Sequence, residues 1–154
     1  MNAAVAGTEI RGIAIPLQQQ TLLLPNEAVI DIIGDRELTP LAGAPDWVAG
    51  VTEWQRRRLI VVQFERLLGQ PWFASSQRRR IVVCQPLSEN ADYFVGIMGL
   101  SIPRLVRINA DQLHAEAAAE VMAEAPVQAV LRFNGAPALI PDLLDLERRL
   151  QSLS

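Results

Sequence analysis

The chain of 154 residues contains no lysine, a single cysteine and a single histidine, and its aromatic share is only 5%. One cysteine cannot form a disulfide within the chain, which is typical of proteins from a reducing compartment. A structural zinc site needs about four ligands, which Cys84 and His114 cannot supply as a cysteine–histidine set. We therefore expect no metal or other cofactor. Val, Leu, Ile and Ala must pack the core, since half of the residues are hydrophobic.

The sequence also lacks an excess of positive charge and any long apolar run. Its formal net charge is −3, whereas general nucleic-acid binders are usually basic over the whole domain. Its apolar runs fall far short of the roughly 20 residues that a membrane helix needs. The first residues, MNAAVAGTEIRG, lack the charged start and long apolar stretch of a signal peptide. The sequence predicts a cytoplasmic protein with no nucleic-acid partner and no direct membrane insertion.

All fourteen basic residues are arginines, and two runs of three stand out. QRRRLIVVQ covers residues 55–63 and QRRRIVVCQ covers residues 77–85. The triplets are open to three interpretations: solvated arginines at the start of a strand, a surface read by a protein partner, or a nucleic-acid site. The last would need aromatic rings interleaved with the charges, and only Trp54 lies nearby.

Short alternating or β-branched apolar runs predict many short strands. The runs cover residues 12–17, 21–25, 28–33, 59–64, 81–85, 93–98, 100–108 and 127–133. Residues 110–125, rich in alanine and acids, are typical of a helix, as a short surface helix or a mobile insertion. A leucine stripe predicts a C-terminal helix that Asp142 caps, formed by Leu143, Leu146, Leu150 and Leu153. Without strand–helix alternation, the pattern indicates a mainly β protein of the barrel type.

Residues that could carry catalysis are few. His114 lies in the alanine-rich segment, away from any strand end or glycine elbow. Cys84 lies within a predicted strand, where a buried and inert thiol is expected. Asp142 and Asp145 fit a helix N-terminus better than acid–base work. We therefore predict that the protein is not an enzyme.

Four stretches, in order, resemble the CheW-like domain family. IPLQQQTLLLPNEAVIDII resembles its opening hairpin and third strand, and LTPLAGAPDWVAGVTEWQRRRLIVVQFERLLG its central W-V-x-G-V and N-L-R-G-x-(V/I)-I-P-V run. FVGIMGLSIPRLVRI and VLRFNGAPALIPDLLDLERRL resemble its later strands and closing helix. The likeness spans roughly residues 12–150. It implies a flexible tail over residues 1–11 and one CheW-like domain over residues 12–154, in which two SH3-like five-stranded β-barrel subdomains intertwine.

The family's polar signature is mostly missing from this chain. Glu53-Trp54-Gln55-Arg56 stands where the family has Asn-Leu-Arg-Gly. Ile60, Gln63 and Leu100 replace a proline and two aspartates. The apolar positions of the fold are kept, so the sequence resembles a divergent member.

The resemblance implies a non-enzymatic adaptor. It would couple the cytoplasmic tip of a methyl-accepting chemoreceptor to the regulatory domain of a CheA-type histidine kinase, as in a pathway that controls type IV pili and twitching. Carried over by position, the candidate contact residues are Val29, Asp31, Gly50, Val51, Gln55 and Arg56, and Trp54 and Arg57 are added for their chemistry and position.

Two alternatives stay open: a degenerate regulator that binds one partner and limits array assembly, and a small β-barrel enzyme. We expect Trp54→Ala or Arg56→Glu to weaken binding without unfolding, and Val61→Asp to unfold the barrel.

Overall fold

The computed structural model describes residues 10–71, 78–88, 92–109, 113–115 and 125–153. Strands dominate this part of the chain, and a helix closes it, so the predicted mainly β fold with a C-terminal helix is confirmed. The strands are β1 Ile10–Pro16, β2 Thr21–Pro25, β3 Val29–Gly34, β4 Val48–Trp54, β5 Arg57–Val62, β6 Arg80–Cys84, β7 Tyr93–Gly99, β8 Arg104–Ile108, β9 Leu113–Ala115, β10 Val127–Phe133 and β11 Ala136–Pro141. The helices are α1 Phe64–Leu67 and α2 Leu143–Gln151, with a 3-10 helix at Asn26–Ala28.

The strands form two sheets, and the chain passes from the first sheet to the second and back again. The first sheet has the order β8-β1-β2-β11-β10-β9 and combines both ends of the chain. The second sheet has the order β3-β6-β7-β5-β4 and uses the middle of the chain. We call them the first and second barrels. The two predicted SH3-like subdomains are confirmed, and the three-residue β9 gives the first barrel a sixth strand.

Three apolar clusters explain why the strand sequences are apolar almost throughout. Alternate residues of β1, β2, β5, β6 and β7 point into a shared core between the barrels, which includes Ile13, Leu22, Ile60, Val82, Ile97 and Leu146. The other residues of β5 and β6 fill the second barrel with Trp54 and Met98. Ala14, Leu23 and Leu131 belong to a smaller cluster in the first barrel. Central strands buried on both faces read as continuous apolar runs.

The C-terminal helix α2 is built as its sequence predicts. Asp142 caps it by accepting a hydrogen bond from the Asp145 backbone N–H over 3.0 Å. Leu146 and Leu150 enter the shared core. The last leucine of the predicted stripe, Leu153, is not part of the helix, which ends at Gln151, and it is exposed.

The alanine-rich segment differs from its prediction where the structure describes it. Residues 113–115 form β9 and not a helix, because β10 offers a ladder along Leu131–Phe133. Local helix propensity is a weak preference that such pairing overrides. Residues 110–112 and 116–124 lie outside the described residues.

The first strand and β8 also differ in length from the sequence pattern. β1 begins at Ile10, two residues ahead of the predicted domain start, and Ile10 pairs with Ile108. Residues 1–9 of the predicted tail lie outside the described residues. β8 is shorter than predicted and begins at Arg104, after Pro103, which cannot donate to a ladder. None of the helices in the described part of the chain is long and apolar enough to cross a membrane.

Candidate partner-binding site at the β4–β5 hairpin

A two-residue turn, Gln55–Arg56, joins β4 to β5, and Trp54 pairs with Arg57 across the ladder. Gln55 has a φ of 52° and Arg56 a φ of 64°, the left-handed values of a tight type I′ hairpin. Such values favour glycine, because an L side chain there costs roughly 1–2 kcal/mol. Arg56 stands where the family pattern has glycine. The chain therefore keeps the glycine backbone shape with an exposed arginine at the tip.

The second barrel is closed by side chains between its two edge strands, β3 and β4. Trp54 donates its Nε1–H to Asp31 Oδ2 over 3.2 Å. Beside it, Arg36 Nη1 donates to the Glu53 carbonyl over 2.8 Å. These contacts join the end of β4 to β3 and to the segment that follows β3, and no backbone ladder pairs β3 with β4. Asp31 is therefore part of the barrel closure.

Trp54 belongs to the core of the second barrel. Only 9% of it is exposed, and its ring meets Phe94 edge-to-face with the ring centroids 4.9 Å apart. Removing such a ring costs about 3–5 kcal/mol. This burial contradicts the expectation that Trp54→Ala leaves the fold intact.

Strand β3 carries the two other candidates on this edge. Val29 is half-buried against the shared core, and Asp31 Oδ1 accepts a hydrogen bond from the Ile32 N–H over 2.8 Å. Ile30 and Ile32, on either side of Asp31, are 39% and 38% exposed. Sequence reasoning missed these isoleucines as candidate contacts, although the run VIDII offers too few polar residues for an edge strand facing water.

Gly50 and Val51 of β4 contact Leu38 and Thr39 in the loop that precedes this strand. Gly50 has a φ of 152° and lies at an irregularity of the β4–β5 ladder. A Cβ added to it would lie 2.8 Å from Leu38 Cβ and 2.9 Å from the Thr39 carbonyl oxygen. The Val51 backbone exchanges two hydrogen bonds with Thr39, of 2.8 and 2.9 Å. Gly50 therefore allows the loop to approach β4 closely, and Val51 pairs the loop with the strand.

The arginines of the first triplet have different surroundings. The Arg57 guanidinium lies 5.5 Å from the centroid of the Phe94 ring, a cation–π geometry. Arg58 lies opposite Glu53 in one ladder and beside Tyr93 in the other. Arg56 alone stands at the exposed turn, so it is the arginine of this triplet best placed to reach a partner.

The second triplet lies at the other end of β7. Arg80 pairs with Gly99 at the end of β7, whereas Arg58 pairs with Tyr93 at its start. A strand of this length spans about 20 Å. Arg79 forms a 2.6 Å ion pair with Asp35. The two triplets therefore do not make one continuous basic surface.

Cys84 is buried, as predicted, and ends β6 at the shared core. Burial raises the pKa of its thiol to about 12, and the nearby Glu147 carboxylate adds to the effect. A thiol with such a pKa is not ionised at neutral pH and is a poor nucleophile.

The structure brings Asp31, Trp54 and Arg57 together through direct contacts or through Phe94. Phe94 is a further residue that sequence reasoning missed, and its signal is the aromatic pair that opens the run YFVGIM. Gln55 and Arg56 form the exposed tip beside this group. Val29, Gly50 and Val51 lie on the same two edge strands but have backbone or core contacts of their own.

Comparisons with known proteins agree with this architecture. A family model of the CheW-like domain matches residues 11–151. Among solved structures, the scaffolding protein TtCheW from Thermoanaerobacter tengcongensis is similar, with a TM-score of 0.72 and 14% sequence identity over 87% of this chain and 84% of that chain. A search of curated proteins found no match. The structural likeness shows the fold, and the family model covers most of the sequence: the chain belongs to the CheW-like domain family.

Proposed function

We propose that this protein is a non-enzymatic, cytoplasmic adaptor that couples chemoreceptors to a CheA-type histidine kinase. The observation that carries the proposal is the family match over residues 11–151. The β4–β5 hairpin supports it, because its turn holds Arg56 at a positive φ, a conformation that favours glycine, at the position where the family pattern has glycine.

An adaptor of this kind acts through geometry. It holds a receptor tip and a kinase regulatory domain in one assembly, so that a small shift in the receptor changes the balance between kinase states. The chain offers contact chemistry suited to this task at the second barrel. Exposed Ile30 and Ile32 supply apolar area, and the arginine at the hairpin tip supplies a guanidinium fork, a group enriched at protein interfaces.

Arg56 is the residue that we propose to replace the missing signature arginine. Gln55 occupies that arginine's place in the family pattern, and Arg57 is engaged with Phe94. Arg56 is exposed in a turn whose two ends are fixed by the ladder pair Trp54 and Arg57. The ladder already fixes the backbone of this turn, so the backbone has little freedom left to lose on binding.

The second candidate is a degenerate regulator that binds only one of the two partners and limits array assembly. The observation that favours it is the loss of polar signature residues at Gln55, Gln63 and Leu100.

The loss of the polar signature residues also supports a role in a specialised chemosensory pathway. We propose that this pathway controls type IV pili and twitching. Loss of twitching in a deletion strain that is restored by the wild-type gene would support this setting, and unchanged twitching would contradict it.

Separate binding titrations distinguish these functions. The purified protein is titrated by calorimetry with a kinase regulatory domain and, independently, with a receptor cytoplasmic-tip fragment. The adaptor proposal expects micromolar or tighter binding to both. Binding to one partner alone supports the regulator, and binding to neither contradicts both.

A further inference from the structure

The turn between β1 and β2, in the first barrel, is hydrogen-bonded to α1 and its flank, which follow β5 of the second barrel. The Gln18 backbone N–H donates to Glu65 Oε2 over 3.3 Å. The side-chain amides of Gln20 and Gln70 form two hydrogen bonds with each other, of 3.1 and 3.0 Å. The Gln70 backbone N–H donates to the Glu65 carbonyl over 2.9 Å. These contacts of Gln18, Gln20, Glu65 and Gln70 join the two barrels, and we call them the latch.

Glu65 is a buried acid within the latch. Only 1% of the residue is exposed, and its Oε1 atom is buried without a hydrogen-bond partner in the described part of the chain. Buried polar groups nearly always have a partner, because an unsatisfied group keeps its desolvation cost, which is larger when the group is charged. With so little exposure, the carboxyl group can gain a hydration shell only if the turn and α1 move apart.

The surroundings of Glu65 offer it no balancing charge among the described residues. The segments around the β1–β2 turn are β1 and β2 themselves, β11 beside β2, and the end of β7, where the Leu100 N–H donates to the Pro16 carbonyl. Charged and titratable side chains are absent from residues 12–25, 94–103 and 134–141. On the α1 side, Arg66 Nη1 lies 3.7 Å from Asp46 Oδ2, and both side chains are exposed. The latch therefore encloses one acid among apolar and amide groups.

Ionisation of Glu65 works against the closed latch. Burial raises the pKa of this carboxyl group above its ordinary value of 4.5, and two backbone N–H groups, its own and that of Gln18, act in the opposite direction. A carboxyl group whose pKa is raised in one state stabilises that state while protonated, and this stabilisation is lost as the pH rises through the raised pKa. The closed latch is thus most stable in acid and weakens as the pH rises.

We propose that the β1–β2 turn and α1 form a proton-dependent latch between the two barrels, in which protonated Glu65 keeps the turn docked and ionised Glu65 releases it. The Gln20–Gln70 pair is uncharged at every pH and holds the two segments in register. Release is local, because Leu17 and Phe64, next to the contact on either side, lie in the shared core. The latch needs neither a ligand nor a partner protein, so it stands apart from the adaptor function.

Amide hydrogen exchange of the ¹⁵N-labelled full chain, followed by NMR, tests the latch in the wild type and in Glu65→Gln, which has the shape of the protonated acid and cannot ionise. At about pH 7.5 we expect the Gln18 amide to exchange about fivefold or more faster in the wild type, because there the closed state carries an unsatisfied buried charge. At about pH 4 the ratio should fall toward one. Glu37→Gln, at an exposed glutamate, is the matched control and should behave like the wild type.

Equal exchange of the Gln18 amide in the wild type and Glu65→Gln at the higher pH would overturn the proposal. A ratio that is the same at both pH values would do so too, since it would indicate a purely structural role. So would protection of the Gln18 amide equal to that of Ile97 in the core of β7, because the turn would then open only when the domain unfolds. Gln20→Ala removes the uncharged pair and should speed Gln18 exchange at both pH values, and an unchanged rate would contradict the role of that pair.

Discussion

Strands β5 and β6, which begin within the two arginine triplets, divide their apolar residues between the same two cores. Leu59 and Val61 of β5 lie in the second-barrel cluster together with Ile81 and Val83 of β6. The residues between and after them, Ile60, Val62, Val82 and Cys84, enter the shared core. Both strands flank β7, one parallel and one antiparallel. Their likeness in sequence reflects a likeness in packing.

The arginines of the two triplets have different surroundings. The first begins inside a tight turn, and its middle arginine lies over an aromatic ring. In the second, Arg79 pairs with Asp35, and Arg80 donates to the carbonyls of Arg78 and Arg79 over 3.0 and 2.9 Å. The apolar residues inside a strand predict its burial by themselves. The contacts of the charged residues at the start of the strand depend instead on which other elements lie next to them.

The largest expected effect is the loss of folding when a charge is placed inside β5 or β6, and it tests whether the two strands are packed equivalently. Val61→Asp and Val83→Asp each place a carboxylate in the same apolar cluster, at matched positions of the two runs. An unpaired buried charge costs several kcal/mol, a large part of the about 5–15 kcal/mol that stabilises a domain. We expect both variants to lose folded structure by circular dichroism. If one variant folds like the wild type, the strands are not equivalent.

The next effect concerns the barrel closure beside the first triplet. Trp54→Ala should lower the free energy of unfolding by about 3–5 kcal/mol, measured by urea titration. Trp54→Phe keeps an aromatic ring against Phe94 but loses the N–H bond to Asp31, so its loss should be smaller. Equal stability of Trp54→Ala and the wild type would contradict the core role of this ring.

Arg56→Gly tests the strain of the first turn. Glycine adopts positive φ without steric penalty, so we expect the variant to gain about 1 kcal/mol of unfolding free energy. Arg78→Gly is the control in the second triplet, where no positive φ is found, and it should show no such gain. A loss of stability in Arg56→Gly would mean that the arginine side chain contributes more than its backbone costs.

The smallest effect concerns the second triplet. Arg79→Gln removes the ion pair with Asp35, whose two side chains are partly exposed. Partly exposed pairs contribute about 0.2–1 kcal/mol and are screened by salt. We expect a loss within this range at low salt that shrinks at high salt. A loss that is insensitive to salt would show that Arg79 stabilises by packing.

Much of the fold was predictable because apolar alternation marks the strands whatever their partners. Asp142 as a helix cap and Leu146 and Leu150 as core residues follow from local pattern alone. The β9 strand did not follow, since it depends on a ladder with β10 that the residues of β9 do not themselves indicate. At the site, the burial of Trp54 was missed because it depends on Asp31 and Phe94, which other strands supply.

The adaptor function and the role of Arg56 are tested together by the affinity of a kinase regulatory domain and of a receptor tip for three proteins: the wild type, Arg56→Glu and Arg78→Glu. Both substitutions reverse one charge on an exposed residue, and they lie in opposite triplets. If the protein is an adaptor that uses Arg56, we expect micromolar binding of both partners by the wild type, binding of at least one partner weakened about tenfold or more by Arg56→Glu, and no comparable loss in Arg78→Glu. An absence of binding by the wild type, or equal losses in the two variants, would contradict it.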